Sequence, residues 1–183
     1  MIRPADLFRY CPRCAVPGTD KPGQIPFQCR GCGLTLFFNP TLAAAAFIFN
    51  RQGRLLWIRR AKEPAKGKLA IPGGFVDFGE SAEEAVARET REEVGLELSQ
   101  IHFLGSWPNQ YTYREITYSV CDLLFTALAE APETATPLDA VAELVWRELH
   151  EIDPEELAFP SIRYGWQRLC QNSTAVQKNF PIL

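Results

Sequence analysis

Three glutamates, Glu89, Glu92 and Glu93, stand at i, i+3 and i+4 in the stretch from Ser81 to Val94. On a helix all three project from one side, and like charges at those spacings cost on the order of a few tenths of a kcal/mol per pair. Glu92 and Glu93 also fall in the last turn, where the helix dipole disfavours negative charge. Arg88 and Arg91 offer local relief. A solvated acidic face would carry such a run. So would a site in which carboxylates surround a hard divalent cation that keeps some of its waters, Mg²⁺ or Mn²⁺ rather than zinc.

The second set of chemical residues is sulfur. Cys11 and Cys14 lie in CPRC, Cys29 and Cys32 in CRGC, with fourteen residues between the pairs. Each CxxC makes a tight knuckle, and two knuckles complete a tetrahedron of thiolates, the form of a structural zinc site. Gly31 and Gly33 suit the second knuckle, whereas Ala15 follows the first. Two disulfides, an iron site or free thiols are the alternatives. The chain opens without an apolar signal-peptide segment, so a reducing cytoplasm is expected and lasting disulfides are not. Cysteine at all four places leaves no open coordination position, which makes this zinc structural. Metal binding would supply the folding free energy of a proline-rich segment, roughly 10–16 kcal/mol in peptide zinc sites. Arg3, Arg9, Arg13, Lys21 and Arg30 make nucleic-acid contact conceivable there. Cys121 and Cys170 read as buried hydrophobes.

Elements must hold these groups in place. The 183 residues, 46% hydrophobic and 22% charged, can bury a core and do not resemble a disordered chain. The longest apolar run, Leu42 to Phe49, is eight residues, too short to span a bilayer, so no membrane is expected as a partner. A formal charge of −3 hides a polarised chain: residues 51–68 carry seven bases and one acid, residues 77–97 two bases and eight acids. Strands are predicted over Leu42–Asn50 and Arg54–Arg60, joined by a turn at Asn50–Gly53. A glycine-containing strand or loop follows over Ala70–Phe78, then a helix from Ser81, capped by Ser81 with Glu84 and stopped at Gly95. Further strands are predicted at about 100–107, 112–120 and 121–129, and a short one near Leu144–Glu148. A closing helix is expected over Pro154–Gln171, interrupted at Pro160. The class is α+β with a mixed sheet, in three parts: 1–38, 39–175 and a tail, 176–183.

The glutamates belong to a longer pattern. Gly74 is followed after five residues by Glu80, after seven more by Arg88-Glu89, then by Glu92-Glu93, Gly95 and Leu96. This resembles the signature of the Nudix hydrolases, GX5EX7REUXEEXGU with U a bulky apolar residue; Thr90 departs from it at the first U. The resemblance implies a Nudix fold, a mixed sheet packed between helices. A four-cysteine ribbon directly before such a domain is similar to the bacterial NADH pyrophosphatase group. The SQPWPFPxS motif of that group is not matched, since the corresponding stretch reads GSWPNQYTY over residues 105–113.

The resemblance implies metal-dependent attack by water on a nucleoside diphosphate linked to a further group: NADH or NAD, ADP-ribose, FAD or a similar dinucleotide. Glu89, Glu92 and Glu93 would hold Mg²⁺ or Mn²⁺, Arg88 would orient them, and Glu80 would support them. Gly73 and Gly74 would let backbone approach metal and phosphate, with the Gly74 carbonyl a further ligand. Glu143, three residues before Trp146, is the candidate for an additional ligand or general base, with Glu115 its rival. Arg59 and Lys68 could reach substrate phosphates, and Trp107 and Tyr111 could stack a base. An alternative is a nucleotide- or RNA-binding module that uses the ribbon, including one that removes NAD caps from RNA. A homodimer also accords with the resemblance.

Overall fold

The structure, a computed structural model, describes residues 1–18 and 23–171; Lys21 and the predicted tail 176–183 lie outside them. Two compact units divide the chain: Met1–Thr41 with Gln110–Val120, and Leu42–Asn109 with Cys121–Leu183. The linear expectation drew a boundary at 38/39. The first of the two units also takes in a hairpin tip from far along the chain, residues 110–120.

In that first unit, strands β1 (Phe27–Gln28) and β2 (Thr35–Leu36) pair antiparallel. Phe8, Phe27 and Phe38 form its small aromatic core beside the buried Cys11 and Cys29. The hairpin tip turns through Arg114 and Glu115 at φ 44 and 70, the sign demanded by a tight hairpin turn, though neither is glycine. Next to it Ile116 bridges Ile2, and Thr117 donates its N–H to the Ile2 carbonyl at 2.7 Å.

The second unit is built on a seven-stranded sheet, of which Thr41 and the hairpin tip within residues 110–120 fall in the first unit. Its strands are β3 (Thr41–Phe49), β4 (Leu55–Arg60), β5 (Leu69–Ala70), β6 (Gly73–Phe75), β7 (Leu98–Tyr113), β8 (Ile116–Ala129) and β9 (Val141–Arg147). The order is β5-β4-β3-β8-β7, with β6 beside β3 and β9 beside β4. β3 and β4 are central, and their inner stretches, Leu42–Phe49 and Leu55–Ile58, read as apolar runs, not alternating ones. Asn50 closes the turn between them by accepting the N–H groups of Gln52 and Arg54 on its side chain. Two helices, α1 (Ala82–Val94) and α2 (Pro160–Gln171), complete an α+β fold. One apolar core takes Phe47, Trp57, Val86, Val94, Leu124, Leu157, Ile162 and Leu169. Gly165 of α2 sits so close to Leu124 and Phe47 that a methyl group would collide with both.

Two predicted element assignments and one predicted burial change. Residues 98–113 and 116–129 form two long strands with one turn between them, where three shorter ones were expected. The closing helix begins at Pro160, and 154–156 is a separate 3-10 turn. Proline starts the helix there because an N-terminal position needs no N–H partner. Cys170 is exposed and Cys121 half-buried, so neither is the buried hydrophobe expected.

Candidate active site

α1 starts and stops where its sequence says. The Ser81 hydroxyl accepts the Glu84 N–H at 3.2 Å while the Glu84 carboxylate takes the Ser81 N–H at 2.8 Å. Gly95 ends the helix at φ 70, and loop residues 136–139 satisfy its last carbonyls, among them Glu93 with the Leu138 N–H at 2.9 Å. The acidic last turn thus receives backbone donors from a distant loop.

One arginine ties the cluster together. Arg88 grips both oxygens of Glu80, Nε to Oε1 at 2.9 Å and Nη2 to Oε2 at 3.0 Å. It reaches Glu89 at 2.8 Å, Glu92 at 3.3 Å and the Phe75 carbonyl at 3.0 Å. The guanidinium is a planar fork that can hold several oxygens at once, a task lysine would not perform. Hydrogen bonds from Arg88, then from the Asp77 N–H, keep the Glu80 carboxyl below its usual range. Glu80 is therefore the fixed anchor of Arg88.

Glu89 and Glu93 behave differently. Burial pushes the Glu89 carboxyl up despite Arg88, and burial pushes Glu93 up to about 8, against the Gly73 N–H that Glu93 accepts at 3.1 Å. Both are oxygen donors whose charge the protein alone does not neutralise. β6 explains how Glu89 fits: a Cβ on Gly74 would lie 2.5 Å from the Glu89 carboxyl carbon. Gly73, at φ 150, is closed in by the Ala44 carbonyl and Ala45, with the Ala45 Cα 2.5 Å from any added Cβ. Both glycines are required, one for the carboxylate and one for the strand. Among the described residues the glutamate oxygens are not drawn into so tight a set as the cysteine sulfurs, since Glu89 and Glu92 reach to Arg88.

Other candidates fall elsewhere. Glu143 on β9 faces its cross-strand partner Arg59 on β4, joined to it at 2.7 Å, and Arg59 also donates to the Gly67 carbonyl at 2.9 Å. Lys68 donates to the Glu155 carbonyl at 2.8 Å. Trp107 packs against the main core and lies over Gly105, where an added Cβ would come within 2.7 Å of the indole. Tyr111 and Glu115 belong to the first unit. Sequence reasoning missed Asp139, whose charge acts on Glu93 together with that of Arg60, a residue it placed only in the basic approach to phosphates. Asp139 pairs with Lys62 at 3.0 Å, and Arg60 lies 5.1 Å over the Phe159 ring. Its sequence separation from the helix hid Asp139.

The four cysteines converge, with all sulfurs within 4.8 Å of one another. Cys11 and Cys32 are 3.7 Å apart and Cys14 and Cys29 3.6 Å, too far for disulfides. Zn–S bonds of about 2.3 Å make a tetrahedron with edges of about 3.8 Å, so the spacing fits that metal. The N–H groups of Cys32 and Gly31 point at the Cys29 sulfur at 3.4 and 3.3 Å. The Cys32 N–H, outweighing burial and aided by Gly31, brings the Cys29 thiol down to about 6.

The profile of the NUDIX domain matches residues 39–165, and the chain belongs to the Nudix family. A NAD-capped RNA hydrolase NudC of Pseudomonas fluorescens is 27% identical over 158 residues, covering 85% of this chain and 54% of that protein. The chain thus spans about half the length of that relative. A Nudix hydrolase of Nitrosomonas europaea superposes with a TM-score of 0.73 at 20% identity, covering 91% of this chain and 93% of that one. The Nudix domain of Shewanella oneidensis NrtR, solved with ADP ribose, superposes at 0.58 with 21% identity, covering 75% and 90%.

Proposed function

We propose that this chain is a divalent-metal-dependent pyrophosphohydrolase acting on a nucleoside diphosphate linked to a further moiety, such as NADH, NAD, ADP-ribose or FAD. The observation that carries the reading is the Gly74–Arg88–glutamate assembly. It holds two part-buried carboxylates, Glu89 and Glu93, above their ordinary pKa beside a third, Glu92. Such oxygen donors fit Mg²⁺ or Mn²⁺, held by Glu89, Glu92 and Glu93 with the Gly74 carbonyl. When bound, the cation would neutralise phosphate oxygens and acidify a water.

The chain's own groups do the rest. Glu93, in its ionised form, would be one of the ligands, and the Gly73 N–H holds one of its oxygens in place. Arg88, anchored on Glu80, sets where Glu89 and Glu92 stand. Glu143 stays the candidate for a further base, its carboxylate now seen to depend on Arg59 for orientation. The Cys₄ cluster holds structural Zn²⁺, which accords with a reducing, cytoplasmic setting.

The test is hydrolysis of a dinucleotide panel with Mg²⁺ or Mn²⁺, with products identified by mass spectrometry. Release of AMP from at least one member, and its loss in Glu93→Gln, is expected; no nucleoside monophosphate from any member would end this reading. The name of the Pseudomonas relative motivates a second reading, NAD-cap removal from RNA with Arg9, Arg13 and Arg30 of the ribbon holding the strand. Equal rates on free NAD and on NAD-capped RNA would remove it.

A further inference from the structure

The segment between β6 and α1 carries one side chain that neither the fold nor the carboxylate cluster uses. Asp77 and Glu80 close a tight turn: the Glu80 N–H meets the Asp77 carbonyl at 3.2 Å, and the Asp77 N–H meets the Glu80 carboxylate at 3.0 Å. Gly79 sits at φ 82, the conformation such a turn demands at its third residue. The second position, Phe78, is under no such demand; almost any residue can stand there. Yet it is phenylalanine, and at 109% relative exposure its ring meets solvent on all sides. Phe103, another exposed aromatic, at least packs edge-on against Phe125 at 5.4 Å.

The turn under this ring is held at both ends by one arginine. Glu80, its last residue, is gripped at both oxygens by Arg88, and Asp77, its first, lies 3.9 Å from the same guanidinium. Arg88 also holds Glu89 and Glu92, so the backbone turn that carries the ring is tied to the carboxylates. A molecule that brings a diphosphate to those carboxylates can present its ring systems to a solvent-exposed aromatic side chain carried on a turn bound to the same arginine. Stacking there would need little backbone ordering, which is the usual cost of recruiting a loop.

We infer that Phe78 is a specificity-determining residue on which a planar base of the substrate stacks, so that the site favours diphosphates bearing a base over those bearing none. The inference rests on the pyrophosphohydrolase reading. Base–aromatic stacking is worth about 1–3 kcal/mol, or roughly 5- to 150-fold, and a ring open on its far side belongs near the lower figure.

The experiment compares wild type with Phe78→Ala, Phe78→Leu and Phe78→Trp on ADP-ribose, NADH and 5-phosphoribosyl 1-pyrophosphate, which has no base. For the base-bearing substrates, Ala and Leu should raise KM about fivefold, with kcat within twofold and the melting temperature unchanged, while Trp should match wild type. Any cleavage of the base-free compound should be indifferent to all three changes. Unchanged KM in Phe78→Ala, wild-type behaviour of Phe78→Leu, or a change of oligomeric state in place of KM would overturn the inference. If wild type cleaves nothing on the panel, the parent reading fails separately. Calorimetric binding of ADP-ribose in Mg²⁺ then decides this one: Phe78→Ala must weaken it, and equal affinity or no binding to wild type overturns it.

Discussion

Glu93→Gln should make the metal-free protein more stable while abolishing catalysis. Glu93 is pushed up to about 8 chiefly by burial, with the charges of Glu89 and Asp139 adding to it. A folded-state value above the unfolded one means the group binds its proton more tightly in the folded chain. That contribution is fully present below the unfolded value, near 4.5, and is lost as pH rises through about 8. At about 1.36 kcal/mol per pH unit, the loss is about 4–5 kcal/mol over the whole window and about 3 kcal/mol at pH 7. Domains of this kind have only about 5–15 kcal/mol in total, so the effect is large. Glutamine keeps an acceptor for the Gly73 N–H, now at 3.1 Å, but never ionises.

The assay is urea unfolding followed by tryptophan fluorescence at pH 5 and pH 8, with zinc in place and no other divalent cation. Trp57, Trp107, Trp146 and Trp166 all lie in the second unit, so the signal reports the unit that contains Glu93. Comparing the two proteins cancels the titration of the cysteines. They should be alike at pH 5, with the variant several kcal/mol ahead at pH 8. Millimolar Mg²⁺ should then recover stability for wild type alone, since binding to the folded form adds stability by mass action. Parallel pH profiles, or a variant less stable at pH 8, would refute the reasoning.

Other expectations follow from single contacts. Gly74→Ala should displace the Glu89 carboxylate, cutting kcat/KM by about 10- to 100-fold at nearly unchanged Tm, whereas Gly73→Ala meets backbone and should lower Tm itself. Arg88→Lys loses the two-oxygen grip on Glu80 and should reduce turnover by a similar 10- to 100-fold, read at saturating Mg²⁺ so that metal affinity is separated from rate. The Thr90 hydroxyl is fully buried without a partner, so Thr90→Val should stabilise by about 1–2 kcal/mol, seen as a Tm higher by a few degrees. Chelation of zinc should release four titratable thiols and expose residues 1–41 to protease, while residues 42–109 stay protected.

What the sequence determined alone is local. Capping, the glycine stop and the i, i+3, i+4 glutamates lie within one helix, where spacing along the chain is spacing in space. The same holds for each cysteine knuckle, and two knuckles have few ways to meet. The cost of burying carboxylates on one helix side was also legible, as repulsion left uncompensated. Tertiary structure decided everything that depends on a second element. It set Gly74 against Glu89, brought the Asp139 loop to the end of α1, and gave Glu143 to Arg59 through the β4–β9 register. It also showed that Arg59, Lys62 and Lys68, which look like a free basic approach when charges are counted, are engaged with Glu143, Asp139 and the Glu155 carbonyl. Charge and type are properties of a residue, but partnership depends on where the strands return, and no spacing in the sequence encodes that.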